Sequence, residues 1–228
     1  MNKKRLYIYI FLLVILPIIS ITLMVFFNFN YYLAITIILL SILLSLFIEF
    51  EKSKPKAREV ALLSILIAIS IALRAIFIWF PQFKPGLAIV IITGITLGPV
   101  KGFMAGSLSM LLSNIIFGQG PWTPWQMFAF GIIGFISGFI GDRFKSKIGL
   151  SIYGFLSVIL IVGPILDTQS ALFILSDYSF NKLMAVYGSG FIMNIIHGLA
   201  VGIFLFLIGE DFIKKINRLK KKYGDISG

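Results

Sequence analysis

The chain has no cysteine, a single histidine and only 9 Asp and Glu residues among 228. The absence of cysteine excludes disulfides, thiolate nucleophiles and Cys-ligated metals. The sequence also contains no G-x-x-x-x-G-K-[ST] phosphate loop, so the chain cannot hydrolyse ATP in the P-loop manner. It contains neither a Ser/His/Asp arrangement nor an H-E-x-x-H motif. We therefore predict that the protein is not an enzyme and has no catalytic residues, no metal site and no intrinsic cofactor.

Apolar residues dominate what the chain does contain. They make up 59% of it, and the mean hydropathy is +1.02. These values lie far outside the composition of soluble proteins, and the polar stretches are too short for a separate soluble domain. The fold class is therefore all-α, a polytopic membrane protein. Its eight predicted spans lie at about 5–27, 31–50, 59–80, 86–97, from after GPVKG (98–102) to near 117, 124–141, 148–166 and 183–208.

The spans define the expected organisation of the chain. Residues 1–50 form an N-terminal transmembrane hairpin, 51–58 a basic cytoplasmic link, 59–210 a six-helix membrane domain and 211–228 a basic tail. The fourth span has about a dozen residues and barely crosses a hydrocarbon core of ~30 Å. We expect it to be broken, strained or packed against protein rather than lipid.

The net charge of +11 would point to nucleic acid in a soluble protein, but its distribution reports topology here. When eight spans are threaded from an inside N-terminus, all of the 20 Lys and Arg residues except Arg74, Lys84 and Lys182 fall on the inner side. This asymmetry follows the positive-inside rule. It predicts a multi-pass plasma-membrane protein, surrounded by lipid, with both termini cytoplasmic and no nucleic-acid partner.

The stretch FGQGPWTPWQM (117–127) differs from the apolar spans around it. It combines restricted backbone at its prolines, open backbone at its glycines and two flat indole rings. The charge pattern places it outside, together with PQFKP (81–85) and the mixed segment 167–182. We predict that the three loops form an outward-facing cup for a flat or ring-bearing ligand. The alternative for Trp79, Trp122 and Trp125 is the interfacial aromatic belt.

Arg74 is the most anomalous residue, because it lies within a span about one and a half turns before its outer end. Its guanidinium either snorkels to the interface or reaches a carbonyl, carboxylate or phosphate of a ligand. Asp167 is its predicted protein partner without ligand. His197 shares its helix face with no acidic residue, so we predict an interhelical hydrogen bond. The predicted substrate-binding residues are Arg74, Phe77, Gln82, Phe83, Lys84, Asn114, Phe117, Gln119, Trp122, Thr123, Trp125, Gln126, Asp167 and Asn194.

Small residues recur at helical spacing in the third span. Ala61, Ser64, Ala68 and Ala72 share one face, which allows close approach of another helix in lipid. The partner is either another helix of this chain or another subunit. For the paired glycines we predict packing within the chain. These pairs are Gly94 and Gly98, Gly102 and Gly106, Gly134 and Gly138, and Gly198 and Gly202.

The portion from about Arg58 to Lys215 resembles the substrate-binding S component of an energy-coupling-factor (ECF) type vitamin transporter. The resemblance rests on ALLSILIAISIALRA, TLGPVKG, GFMAGSLSMLLSN and, most specifically, FGQGPWTPWQMFAFGIIGFISG. The W-T-P-W-Q-M and R…F-x-x-F-K-P patterns look closest to the cobalamin branch. Other S components take riboflavin, folate or queuosine precursors, among other substrates. The two N-terminal helices, residues 5–50, depart from the six-helix core of that family.

The resemblance implies a mechanism and partners. An S component binds its vitamin outside, docks on a transmembrane coupling subunit with two cytoplasmic ATPases, and reorients to release the vitamin inside. The small face formed by Ala61, Ser64, Ala68 and Ala72 would then be the partner interface, and ATP would be used only by the partner subunits. Two other classes stay open at this point: an integral membrane enzyme acting on an amphiphile, and a structural or assembly protein.

Overall fold

The computed structural model describes residues 3–27, 29–53, 56–140, 146–174 and 180–223, and every element in these ranges is helical. Seven helices are long and apolar enough to cross a membrane, and an eighth is shorter, which confirms the polytopic all-α fold. Helix α1 comprises Lys3–Ile10, a π-helical turn at Phe11–Ile15, and Leu16–Phe27. The next five are α2 (Tyr31–Ser53), α3 (Ala57–Ile76), α4 (Gly86–Leu97), α5 (Pro99–Phe117) and α6 (Thr123–Ile140).

The last two helices each contain a π-helical turn. Helix α7 comprises Lys147–Ser157, the turn Val158–Val162 and Gly163–Ile174. Helix α8 comprises Phe180–Phe204, the turn Leu205–Gly209 and Glu210–Tyr223. The predicted cytoplasmic tail is therefore largely a continuation of the last helix. Its Ile216 is buried, and the Lys220 ammonium donates to the Thr96 carbonyl at the end of α4, 2.9 Å away.

Two predicted loops are helical in the structure. The segment 167–182 was expected to be an outer loop that could contain a short helix at 171–175. Helix α7 instead continues without a break through Ile174, and residues 175–179 lie outside the described ranges. Its polar residues do not end the helix, because the hydroxyls of Thr168 and Ser170 bond back to the carbonyls of Pro164 and Leu166. GPVKG is likewise not a loop. Gly98 alone separates α4 from α5, with a φ of 95° that favours glycine.

Close glycine packing builds the centre of the bundle from α4, α5 and α6. A Cβ added at Gly94 or at Gly102 would overlap the Gly134 carbonyl, and one added at Gly134 would overlap the Gly102 carbonyl. A Cβ at Gly106 would overlap the Phe130 carbonyl. The backbones therefore meet with no side chain between them, which confirms the prediction of packing within the chain at these positions.

Helix α4 is enclosed by other helices. Ten of its first eleven residues, and Leu97 at its end, are buried, as expected for a span too short to face lipid. At one end of α4, the Ser70 hydroxyl donates to the Gly86 carbonyl at 2.9 Å. Along the helix axis, Ser70 lies about 9 Å before the end of α3. Because α4 begins beside Ser70, the connection 77–85 runs back along α3 by about that distance.

The other ends of α3 and α5 meet through a buried ion pair between Glu59 and Lys101. The Glu59–Lys101 ion pair and the hydrogen bond from Lys220 to Thr96 thus lie at one end of the bundle. Ser70 and Gly86 lie toward the other end. This alternation agrees with the antiparallel threading from which the inner and outer sides were predicted.

The N-terminal hairpin is part of the bundle. Helices α1 and α2 are joined by a 2.6 Å hydrogen bond from the Tyr9 hydroxyl to the Glu49 carboxylate. Near the opposite end, Met24 and Ala34 form a buried cluster with the fully buried indole of Trp125 in α6. The hairpin therefore supports the first turn of α6.

The small-residue face of α3 points away from the rest of the described chain. Its members Ala61, Ser64, Ala68 and Ala72 are all exposed. No other helix of the described ranges covers them. Of the two partners considered for this face, the structure therefore does not show the one within the chain. A face of this kind suits a neighbouring helix in lipid.

Candidate functional site

A cavity of about 130 Å³ lies where α3 ends and α4 and α6 begin. Its polar lining consists of Arg74, Gln82, Lys84, Gln126 and His197. Its apolar lining consists of Gly86, Met110, Phe130 and Leu166. Six helices, α3 to α8, and the connection 77–85 thus contribute to one small chamber with both hydrogen-bonding and apolar walls. Such a combination is typical of ligand-binding sites in proteins.

Arg74 is held in place by α5. Its Nη1 donates to the Ser113 hydroxyl and, at 2.9 Å, to Asn114 Oδ1, and it lies 3.7 Å from Met110 Sδ. The guanidinium carbon lies 4.5 Å from the centre of the Phe117 ring, in a cation–π contact. Arg74 therefore neither snorkels to the surface nor pairs with Asp167 in the described chain. All of its hydrogen-bond acceptors there are neutral.

Asn114 links three helices at the cavity. It accepts from Arg74 of α3 and donates through Nδ2 to Gln126 Oε1 at 2.8 Å and to Thr123 Oγ1 at 3.0 Å, both in α6. Thr123 in turn donates to Gln119 Oε1 at 2.9 Å, and Gln119 donates to the Leu111 carbonyl. Asn114 is 1% exposed, so these bonds replace water entirely. The network fixes the loop 118–122 relative to Arg74.

The connection 77–85 supplies the second cation of the site. Lys84 is partly buried, and its ammonium lies 5.4 Å from the centre of the same Phe117 ring that Arg74 contacts. Burial in the first place, and the Arg74 charge in the second, lower the pKa of Lys84. Gln82 has a φ of 56°, a left-handed conformation that is uncommon outside glycine. The rings of Phe77 and Phe83 are in tilted contact, with centroids 5.2 Å apart, and hold the two ends of this connection together.

Asp167 pairs with Asn194 rather than with Arg74. Asn194 Nδ2 donates to Asp167 Oδ2 at 2.8 Å. Glycines make this contact between α7 and α8 possible, because a Cβ at Gly190 would overlap the Asp167 carboxylate and one at Gly163 would overlap the Asn194 amide. Neither side chain is among those that line the cavity. The prediction of an Arg74–Asp167 pair is therefore wrong.

The three tryptophans occupy different surroundings. Trp79 is 89% exposed, as an interfacial belt residue would be. Trp122 lies against Gly120, where an added Cβ would meet its ring. Trp125, by contrast, is fully buried against the N-terminal hairpin. None of the three lines the cavity. The structure therefore does not place them where they would contact a ligand in this cavity.

The cavity brings together part of the predicted set. Arg74, Gln82, Lys84 and Gln126 line it. Asn114, Phe117, Gln119 and Thr123 surround it through the contacts just described. The cavity is also lined by four residues that the sequence did not predict there. Met110, Phe130 and Leu166 look like ordinary apolar residues of a span, and the fourth is His197.

His197 is the most informative of the residues that the sequence did not assign. It is 7% exposed, and its ring stacks on Phe130 with centroids 5.8 Å apart. Its Nε2 is buried and has no hydrogen-bond partner in the described chain, so the predicted interhelical hydrogen bond is not made by this nitrogen. The described residues also contain no group of three or more His, Asp or Glu that could hold a metal ion. The sequence feature that could have pointed to this residue is that His197 is the single histidine.

Comparisons with known proteins find relatives of this chain. The UPF0397 protein of Clostridium perfringens (strain SM101 / Type A) is 29% identical over 143 residues, which cover 57% of this chain and 69% of that protein. The UPF0397 protein of Clostridium perfringens (strain ATCC 13124) is 47% identical over 47 residues, or 21% of this chain and 24% of that protein. No solved structure matches the chain.

A family model provides the broader match. The model described as "ECF-type riboflavin transporter, S component" matches residues 54–212. The match begins after the N-terminal hairpin and covers every residue that lines the cavity. It also covers well over half of the sequence. The chain therefore belongs to the family of ECF-type riboflavin transporter S components.

Proposed function

We propose that the protein captures a vitamin or related micronutrient from outside the cell and delivers it through a partner module. That module would consist of a transmembrane coupling subunit and two cytoplasmic ATPases, and the protein itself would carry out no chemical reaction. The membrane would be the plasma membrane, with both termini cytoplasmic. The observation that carries the proposal is the cavity beside Arg74, enclosed by the helices that the family model matches.

The size of the cavity bears on which vitamin is taken. At about 130 Å³ it is smaller than the ~300–1,000 Å³ typical of pockets for drug-sized ligands. A corrinoid, which the sequence motifs favoured, is much larger and would require extensive opening of 77–85 and 118–122. A flavin, which the family's name suggests, would require less. We therefore propose a ring-bearing vitamin no larger than a flavin, with the corrinoid as the alternative.

Identification of the bound molecule tests this proposal. The full chain would be purified in detergent, its visible absorption recorded, and the released small molecules identified by mass spectrometry. We expect a ring-bearing vitamin at close to one molecule per chain, with binding confirmed by calorimetry. A corrinoid absorption band would show that the ligand is a corrinoid, and the proposed role as a vitamin-binding transport subunit would stand. If no vitamin bound in calorimetric titrations, the proposed function would be wrong.

The exposed face of α3 predicts a separation between binding and transport. Substituting Ala68→Leu and Ala72→Leu places bulk on a surface that no described helix covers. Ligand affinity should therefore change less than about twofold, because the substitutions leave the cavity intact. Uptake in cells that contain the partner module should fall at least about tenfold, because close helix contact requires small side chains.

The matched control for this prediction is Ala185→Leu, an equally exposed position on α8. It should leave both binding and uptake unchanged. Uptake that survives the α3 substitutions would show that this face is not the partner interface. Equal loss of binding and uptake would instead indicate that the face supports the fold.

A further inference from the structure

The cavity carries unbalanced positive charge. Arg74 and Lys84 both line it, and none of its lining residues is Asp or Glu. The nearby carboxylate of Asp167 is bonded to Asn194 and is not part of the lining. Two cations thus face one small chamber without a carboxylate in its described wall. Like charges held together in a partly dry site repel each other, which an added anion would relieve.

Arg74 retains free hydrogen-bond donors toward the cavity. A guanidinium has five N–H donors in a planar fork. In the described chain only Nη1 makes side-chain hydrogen bonds, with Ser113 and Asn114. The remaining N–H groups of this partly buried cation are thus available to a ligand. A guanidinium fork matches a carboxylate or phosphate, which can accept two parallel hydrogen bonds.

Two further groups can position such a ligand. Phe117 contacts both cations, with Arg74 at 4.5 Å and Lys84 at 5.4 Å from its ring centre. His197 also lines the cavity; its buried Nε2 has no hydrogen-bond partner in the described chain, and its ring stacks on Phe130. An unsatisfied buried imidazole nitrogen is costly unless a ligand pairs with it. The cations and the imidazole are therefore chemically different groups that one ligand in the cavity can contact.

We propose that the ligand is a small ring-bearing anion, whose carboxylate or phosphate binds Arg74 and Lys84 while its ring lies against Phe130 and a polar ring atom pairs with His197 Nε2. This inference rests on the proposed function and names the chemical class of its substrate. It excludes neutral vitamins of the same size as the ligand. Gln82 and Gln126 complete the polar wall and bind uncharged edges of the ring.

Matched pairs of probes test the charge of the ligand directly. Nicotinate and nicotinamide share a ring and differ in a carboxylate, and riboflavin 5′-phosphate and riboflavin differ in a phosphate. Binding of each to the purified full chain would be measured by calorimetry up to about millimolar concentration. In at least one pair, we expect the anionic member to bind at least about tenfold more tightly than its neutral counterpart.

Variants show whether Arg74 produces that preference. Arg74→Gln should remove it, reducing affinity for the anionic probe at least about tenfold and leaving the neutral probe within about twofold. Lys84→Gln is a second variant, because it removes the other cation of the cavity wall and leaves the hydrogen bonds of Asn114 in place. It should also weaken the anionic probe selectively, even if Arg74→Gln folds poorly. The control is Lys147→Gln, an exposed cation at the start of α7, which should change neither affinity.

The outcomes separate this inference from the proposed function. Equal affinity within both pairs, tighter binding of the neutral members, or no binding of any probe would overturn the anionic ligand. The same holds if the molecule co-purified with the chain is uncharged. In those cases a bound neutral vitamin would leave the proposed function standing. Absence of vitamin binding and of uptake would remove both.

Discussion

Replacing Gly134 with alanine should destabilise the protein by about 3 kcal/mol, among the largest effects expected of a single added carbon. The new Cβ would overlap the Gly102 carbonyl, which belongs to backbone and cannot rotate away. Helices α5 and α6 would have to separate along their whole contact, opening gaps around Gly106 as well. The measurement is the midpoint of thermal unfolding in detergent, followed by tryptophan fluorescence.

The matched control is Gly188→Ala in α8. Gly188 is exposed, and an added Cβ there meets no atom within 4 Å. Because alanine is favoured over glycine inside a helix by roughly 1 kcal/mol, this substitution should be neutral or slightly stabilising. An unchanged midpoint for Gly134→Ala would show that α5 and α6 do not pack backbone to backbone.

Asn114→Leu should lower ligand affinity by about a hundredfold and stability by about 2–3 kcal/mol. Asn114 is buried, accepts from Arg74 and donates to Thr123 and Gln126, so leucine removes three hydrogen bonds at once. Arg74 would lose a principal acceptor and its fixed position at the cavity. Calorimetry with the co-purified ligand and thermal unfolding would measure the two effects separately.

The control for this substitution is Asn181→Leu, at an exposed position near the start of α8. It makes the same chemical change without touching the cavity, and both quantities should stay close to those of the unchanged protein. A variant Asn114→Leu that binds ligand with unaltered affinity would mean that the network does not position Arg74 for binding.

The sequence predicted the spans well because helices in a membrane are determined locally. Each of the long spans is a run of apolar residues that can be recognised on its own. For the short α4, its length predicted a span that is broken, strained or packed against protein, and the structure shows the last of these. The glycine pairs also indicated close packing, which the contacts of Gly94, Gly102 and Gly134 confirm. The length of an apolar run and the spacing of glycines can both be read from neighbouring residues in the sequence.

The site was predicted less completely because it depends on distant contacts. Asp167 was assigned to a loop since polar residues resemble loop composition, although Thr168 and Ser170 satisfy their hydroxyls within the helix. Trp125 was assigned to the ligand, but the N-terminal hairpin covers it. That hairpin lies almost a hundred residues earlier in the chain. No local pattern predicts which tryptophan of a pair meets which partner.

The position of α4 has a consequence for how the membrane acts on the protein. Its twelve residues extend about 18 Å, well short of the ~30 Å of bilayer hydrocarbon. Because α4 is enclosed, no lipid meets this mismatch, and bilayer thickness acts on the outer helices instead. The return of 77–85 beside α3 also places Lys84 and the cavity below the level where α3 ends. A ligand held there would experience part of the transmembrane voltage, so its affinity would depend on membrane potential if it is charged.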